Sequence, residues 1–158
     1  MNLSAELDRW LAPGMRDVLD RAGARAAAHG WRAFLVGGPV RDLMLGRASL
    51  DLDVVVEGDA VAVAREVVRP GEPSPVVHLD FGTATLSAGS GRIDLVTARA
   101  ESYDRPGALP TVRPGSIEQD LARRDFSLNA MALALSVERR GDVLDPHGGL
   151  GDLEHGLI

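Results

Sequence analysis

The chain has 158 residues, of which 45% are hydrophobic and 25% are charged. This balance is typical of a single globular domain and argues against a disordered segment. No apolar run approaches the 18 or so residues that a membrane span needs, and the N-terminus lacks the features of a signal peptide, so we expect a cytoplasmic protein with no membrane partner. The sequence holds no cysteine, which excludes disulfides and thiolate metal sites.

The charge pattern restricts the chemistry further. The formal net charge is −6, whereas free-standing nucleic-acid binders usually carry a basic face. All 17 basic residues are arginine, so no lysine is available as a Schiff base or a general base. Any phosphate contact must therefore come from a guanidinium group or from backbone N–H groups.

The predicted elements alternate between helices and strands. In chain order the pattern predicts helix 15–29, strand 33–36, helix 40–45, strand 51–56, helix 60–68, strands 76–79, 83–87 and 92–97, a capped helix from Ser116 toward Arg123, and a hairpin of strands 132–137 and 142–145. Residues 99–115 contain three prolines and two glycines and are predicted to form one long loop. The predicted fold class is α/β (α+β), with a small mixed sheet flanked by helices.

The strongest local signal is a pair of acids, Asp51 and Asp53, on an otherwise apolar strand. Residues two apart on a strand face the same side, and two carboxylates about 5 Å apart repel by roughly 3 kcal/mol at an effective dielectric of about 20. Either one carboxyl is protonated or a divalent cation lies between them, and oxygen ligands favour Mg²⁺ or Mn²⁺ over zinc. Taken alone, the pair fits two solvated acids at a strand start equally well.

The second signal is a glycine pair between a strand and a helix. Gly37 and Gly38 follow the apolar strand 33–36, and Arg41 and Asp42 come one helical turn later. Backbone N–H groups in such a turn can form an anion site, and Arg41 could bind a phosphate with its planar fork. The pattern also fits an ordinary tight turn that needs a positive φ, and it does not match the P-loop or G-x-G-x-x-G.

The two signals together are more specific than either alone. A phosphate site ahead of a metal-binding acid pair is what two-metal nucleotidyl transfer needs, with one ion at the triphosphate and one at the attacking hydroxyl. We expect a third carboxylate on a neighbouring strand, and Asp94 alternates correctly to face the same cleft; an ordinary edge-strand acid is the alternative.

A third segment, 120–132, combines charged and apolar residues. Arg123, Arg124 and Asp125 precede an apolar run that contains Asn129. A buried asparagine is costly unless it is hydrogen-bonded, so we expect Asn129 to have a defined partner. A helix cap with an ion pair is the simpler interpretation of this segment.

These motifs resemble those of the class II tRNA nucleotidyltransferase and bacterial poly(A) polymerase family. The first signature is similar to Gly37-Gly38-x-x-Arg41-Asp42 with Asp51-x-Asp53. The second is similar to Arg123-Arg124-Asp125-Phe126-Ser127-Leu128-Asn129-Ala130, with Ser127 where threonine is commoner. Asp145-Pro146-His147-Gly148-Gly149 resembles the end of the family's catalytic head, with His147 in place of an aromatic residue.

The resemblance implies a polymerase-β-like nucleotidyltransferase palm. It implies a head domain at 33–150, with 1–32 as a helical segment that packs on it and 151–158 as the start of a helical neck. It implies Asp51 and Asp53 as metal ligands for two Mg²⁺ (or Mn²⁺), Gly38 and Arg41 on the triphosphate, and Arg124, Asp125 and Asn129 near the sugar and phosphates of the nucleotide. Together with the patterns above, we expect the catalytic residues to be Asp51, Asp53 and Asp94. We expect the nucleotide-binding residues to be Gly37, Gly38, Arg41, Asp42, Arg123, Arg124, Asp125 and Asn129.

The implied function is addition of CCA, CC or A to the 3′ end of tRNA, from ATP and CTP. In this family the neck, body and tail domains read the base and hold the tRNA, so most RNA contacts are expected outside this chain. Three alternatives stay open: a poly(A) polymerase head, a module that binds Mg·NTP without turnover, and a minimal nucleotidyltransferase that modifies another substrate.

Overall fold

A computed structural model of the chain describes residues 1–102, 105, 107, 109 and 111–157. Its helices are α1 (Ser4–Trp10), α2 (Pro13–Ala28), α3 (Gly38–Met44), α4 (Ala60–Val67), α5 (Ile117–Ala122) and α6 (Gly149–His155). Its strands are β1 (Ala33–Val36), β2 (Asp51–Val56), β3 (Val76–His78), β4 (Thr83–Ala88), β5 (Gly91–Thr97), β6 (Arg99–Ser102), β7 (Thr111–Pro114), β8 (Ala132–Ala134) and β9 (Val143–Leu144). Short 3₁₀ turns lie at Leu79–Phe81 and Ser127–Asn129.

Seven of the strands form one mixed sheet in the order β3-β4-β5-β2-β1-β8-β9. Strands β2 and β5 run parallel, and the other neighbouring pairs run antiparallel. The predicted mixed sheet flanked by helices is therefore confirmed.

The two faces of the sheet carry different cores. On one face, alternate residues of the central strands, among them Leu52, Val54 and Leu95, pack with α2 and α4 in the larger core. The other face forms a smaller core in which Phe34 of β1 and Ile117 of α5 take part. Residues beyond this smaller core on the same face of β2 and β5 remain accessible, and these carry the predicted acids.

The N-terminal helices share the larger core with the sheet. Leu7 of α1 and Met15 and Leu19 of α2 are essentially inaccessible to solvent within it. Among the described residues, no helix is long and apolar enough to cross a membrane.

The prediction of one loop at residues 99–115 is wrong. Strands β6 and β7 pair antiparallel as a separate two-stranded sheet, with Arg99 opposite Pro114 and Ser102 opposite Thr111. Pro114 is tolerated because it ends an edge strand, where its missing N–H disrupts no ladder. The other two prolines of this segment, at 106 and 110, lie outside the described residues.

The other predicted elements are present with shifted ends. The helix predicted at 15–29 begins at Pro13, which suits the first helical position because its missing N–H needs no partner there. The capping box that begins α5 is confirmed, since the Ser116 side chain accepts from the Gln119 N–H while the Gln119 side chain accepts from the Ser116 N–H. The predicted final hairpin is also confirmed, although β8 ends at Ala134.

Candidate active site

The glycine turn lies at the end of β1, directly beside the acidic strand. Val36, the last residue of β1, pairs with Asp53 in the sheet, and Gly37 is the next residue along the chain. Gly37 has φ 74° and ψ −136°, a conformation that favours glycine. A Cβ at Gly37 would lie 3.1 Å from Nη1 of Arg124, so a side chain there would also crowd this arginine.

Arg41 projects back from α3 toward the same turn. Its Nε and Nη2 donate to Oδ1 of Asp42 at 3.0 and 2.9 Å, and its Nη1 donates to Oδ1 of Asn129 at 2.8 Å. This hydrogen bond supplies the defined partner that the sequence predicts for half-buried Asn129. Three of the five guanidinium donors are engaged in these bonds, which fixes the plane of the fork and leaves two donors for an anion.

The three predicted acids lie on two neighbouring strands. Asp51 and Asp53 are exposed on β2, and the parallel register places Asp94 of β5 directly beside Asp53. Arg92 forms ion pairs with two of these acids: its Nε lies 3.0 Å from Oδ1 of Asp51 and 3.9 Å from Oδ2 of Asp94. The expected alternation of Asp94 is thus confirmed, and its catalytic role remains a prediction.

The electrostatic environment of Asp53 links the acids to the second signature. Partial loss of solvation raises the pKa of Asp53 above its usual range, and the charge of Arg124 opposes this shift. Asp94 and Asp51 raise the pKa further by repulsion, while Arg92 lowers it. A cation beside Asp53 would therefore relieve an unfavourable concentration of negative charge.

A buried acid, Asp120, holds the two arginines of the second signature. Arg123 donates to its Oδ1 through Nε and Nη2 at 3.2 and 2.8 Å, and Arg124 donates to its Oδ2 through Nε and Nη2 at 3.1 and 2.9 Å. The backbone N–H of Arg99 also donates to Oδ1, at 3.2 Å. Across the described residues, Asp120 is the one fully buried polar or charged side chain.

Sequence reasoning did not select Asp120 as a site residue. The available signal was its spacing, because an acid three and four residues before two arginines can meet both on one helical face. The bonds to Asp120 engage Nε and Nη2 of Arg124, and its Nη1 lies against Gly37. Arg124 is thereby oriented toward the predicted phosphate turn.

The remaining residues of the second signature occupy different positions. Arg123 faces the β6–β7 sheet, where its Nη1 lies 3.5 Å from Oε1 of Glu101. Asp125 is exposed. Phe126 has φ 63° and is the one residue besides glycine with positive φ in the described part of the chain. The predicted nucleotide residues therefore divide into a group around Gly37 (Gly38, Arg41, Asp42, Arg124 and Asn129) and a pair directed elsewhere (Arg123 and Asp125).

The carboxylate oxygens of the acids on β2 are suited to a hard cation, such as Mg²⁺, that also coordinates oxygens of a bound substrate. Within the described ranges, no cluster of three or more His, Cys, Asp or Glu side chains forms a metal site by itself. Magnesium is commonly held by one or two carboxylates together with phosphate oxygens and waters, so Asp51 and Asp53 fit such an ion. The phosphate oxygens would come from the direction of the glycine turn.

A glycine turn beside paired acids on a mixed sheet flanked by helices is the arrangement expected of a nucleotidyltransferase head. Residues 33–158 match the family described as "Poly A polymerase head domain", and the chain belongs to this family. The predicted family is thus confirmed.

Known relatives add different nucleotides. The chain is 44% identical over 158 residues to an A-adding tRNA nucleotidyltransferase of Halalkalibacterium halodurans, covering 99% of this chain and 37% of that protein. It is 49% identical over 122 residues to a CC-adding tRNA nucleotidyltransferase of Deinococcus radiodurans, covering 76% of this chain and 32% of the relative. The solved apo form II of a CCA-adding enzyme superposes with a TM-score of 0.87 at 38% identity, covering 99% of this chain and 37% of that one. The chain thus spans about a third of each of these proteins.

Proposed function

We propose that this chain is the catalytic head of a tRNA 3′-end nucleotidyltransferase. It would transfer a nucleoside monophosphate from ATP or CTP to a terminal 3′-hydroxyl with release of pyrophosphate. The observation that supports the proposal is the adjacency of the Gly37 turn and Asp53, because it brings the predicted phosphate-binding groups and the predicted acids together.

The phosphate side of the reaction is assigned to the residues around Gly37. Arg41 and Arg124 would bind the triphosphate and neutralise the charge that develops on the leaving pyrophosphate. Asp42 and Asn129 orient Arg41, and Asp120 orients Arg124, so neither fork needs to reorganise when substrate arrives. Such preorganisation is what makes charged groups effective in transition-state stabilisation.

The acidic side is assigned to β2 and β5. Asp51 and Asp53 would hold two Mg²⁺ ions, or Mn²⁺, together with substrate oxygens. Ions bound there would activate the attacking hydroxyl and stabilise the leaving oxygen. Asp94 would orient the acceptor hydroxyl or accept its proton.

The nucleotide that is added does not follow from this cleft. Relatives with the same head include A-adding, CC-adding and CCA-adding proteins. The residues assigned above address phosphate, metal and the acceptor hydroxyl, none of which differs between ATP and CTP. The RNA partner and the range of added bases are therefore proposed as tRNA with A, CC or CCA.

Product analysis tests this proposal. The full-length gene product is incubated with Mg²⁺, each labelled NTP, and tRNA transcripts that end before CCA or after CC, with a non-tRNA RNA as control. We expect one to three nucleotides of A or C to be added to tRNA alone. Extended adenylation of the control RNA would support a poly(A) polymerase, and NTP binding without transfer to any RNA would contradict the proposal.

A further inference from the structure

A threonine outside both signatures contacts the third acid. The register of the sheet places Thr85 of β4 directly beside Asp94 of β5. The Thr85 hydroxyl donates to Oδ1 of Asp94 at 2.5 Å, the short end of the range for a bond to an ionised acceptor. Both side chains are half-buried, so the bond is partly protected from water.

Across the sheet, the Thr85–Asp94 bond and the Gly37 turn lie on opposite sides of Asp53. The sheet runs β4-β5-β2-β1, and these strands carry Thr85, Asp94, Asp53 and the Gly37 turn in the same order. In phosphoryl-type transfer the attacking and leaving oxygens lie roughly in line across the reacting phosphorus. If pyrophosphate leaves on the Gly37 side, the acceptor hydroxyl arrives on the side of Asp94 and Thr85.

The bond also determines which oxygen of Asp94 is not engaged by Thr85. Oδ1 of Asp94 accepts the hydrogen bond from Thr85. Oδ2 of Asp94 and Oδ1 of Asp51 both lie within 4 Å of Nε of Arg92. Oδ2 is therefore the oxygen on the Arg92 side of the Asp94 carboxylate. Without the Thr85 hydroxyl, Oδ1 of Asp94 loses its hydrogen-bond donor, and the carboxylate can rotate toward Arg92, whose Nε lies 3.9 Å from Oδ2.

We infer that Thr85 is a positioning residue for nucleotidyl transfer, which holds Asp94 with Oδ2 directed at the reacting groups. This inference rests on the proposed function and adds the acceptor side to it. Thr85 touches neither phosphate nor base in this arrangement, so it acts on turnover through Asp94 and leaves nucleotide binding unchanged.

Three variants in the full-length gene product test the inference. Thr85→Val removes the hydroxyl with little change in shape, and Thr85→Ser keeps it. Thr83→Val is the matched control, because Thr83 lies on the same face of the same strand but pairs with Val96. For each, kcat and KM of nucleotide transfer to tRNA are measured, together with the rise in melting temperature that Mg·ATP causes.

We expect Thr85→Val to lower kcat about tenfold, since small misplacements of reacting groups cost one to two orders of magnitude. Its KM for ATP and its Mg·ATP-induced rise in melting temperature should match wild type. Thr85→Ser and Thr83→Val should stay within about twofold of the wild-type kcat.

Three results would overturn the inference while the proposed function stands. The first is that Thr85→Val has the same kcat as Thr83→Val. The second is that Thr85→Ser lowers kcat as much as Thr85→Val does. The third is that Mg·ATP no longer raises the melting temperature of Thr85→Val. Absence of transfer by the wild-type protein would contradict the proposed function and the role of Thr85 together.

Discussion

Asp120 shows how a single buried charge can orient the arginines of the candidate active site. A carboxylate without access to water is strongly unfavourable unless it is paired and hydrogen-bonded. Here two guanidinium groups and one backbone N–H satisfy both of its oxygens. The arginines are about three-quarters buried themselves, so the three side chains form one unit, whose orientation is set by helix α5.

We predict that Asp120→Asn destabilises the protein by about 2–3 kcal/mol, because breaking a buried pair leaves charges uncompensated and these arginines retain some solvent. The affinity for Mg·ATP should also fall about tenfold, since Arg124 loses its orientation. Urea unfolding and calorimetric titration measure the two effects. Glu118→Gln on the same helix, where the acid is half-exposed, is the control, and equal behaviour of the two variants would refute the role of Asp120.

Asp53 provides a pH-dependent test at the same scale. Its pKa is raised in the folded protein, so folding disfavours the ionised form. As pH rises from the ordinary carboxyl range, the unfolded chain loses this proton first, and stability falls until the folded form has ionised as well. Above that window the unfavourable contribution is fully present.

We therefore predict that Asp53→Asn stabilises the metal-free protein at pH 7 and that the gain shrinks as pH falls toward 4. Urea unfolding in EDTA across this range measures it. Asp80→Asn, which replaces a solvent-exposed acid, serves as the control. A gain that is constant with pH, or a loss at pH 7, would contradict the electrostatic account.

The segment that links α5 to β8 illustrates the element scale. After α5 the chain turns at Phe126, which adopts φ 63° and ψ 127°, and then forms the 3₁₀ turn Ser127–Asn129. A side chain held at positive φ costs of order 1–3 kcal/mol and persists only where surrounding contacts enforce it. Two side-chain hydrogen bonds anchor the residues that follow: Arg41 donates to Asn129, and the Ser127 hydroxyl donates to Asp152 of α6.

We predict that Phe126→Gly is more stable than Phe126→Ala by about 1 kcal/mol, the reverse of the usual order of these residues, because glycine adopts positive φ without strain. Thermal unfolding of both variants measures the difference. Ala122, at the exposed last position of α5, provides the control: Ala122→Gly should be less stable than the wild type. Alanine proving better at both positions would mean that Phe126 is not strained.

What could be predicted from the sequence follows the range of each interaction. The cap at Ser116 and the turn at Gly37 depend on neighbouring residues, so short patterns identify them. Strands β6 and β7 were missed because a two-stranded pair is defined by cross-strand register, which local proline content obscures. Asp94 was found by alternation alone, whereas Thr85 could not be found, since its role arises from pairing between β4 and β5.

At the scale of the whole molecule, the sheet order arranges the proposed chemistry in one line. The proposed acceptor-side residues lie on β4 and β5 and the proposed metal ligands on β2. The proposed phosphate-binding residues lie at the end of β1 and on the segment before β8. The arginines of that segment come from a part of the sequence about 70 residues after Asp53, and α5 supports them from the open face of the sheet. Long-range folding, more than any local motif, therefore assembles the cleft.

Metal-dependent nucleotide binding tests this account most directly. Melting temperatures are measured with ATP at about one hundred times its Kd, with Mg²⁺ or with EDTA, for the wild type, Asp51→Asn/Asp53→Asn and the control Asp80→Asn/Glu138→Gln. Linkage at this excess stabilises the folded state by about 2.7 kcal/mol, or roughly 5–10 °C for a domain of this size. We predict this Mg²⁺-dependent rise in the wild type and the control and its absence in the Asp51/Asp53 variant, which should remain folded. An equal Mg²⁺-dependent rise in that variant would show that these acids do not hold the metal and would contradict the central claim.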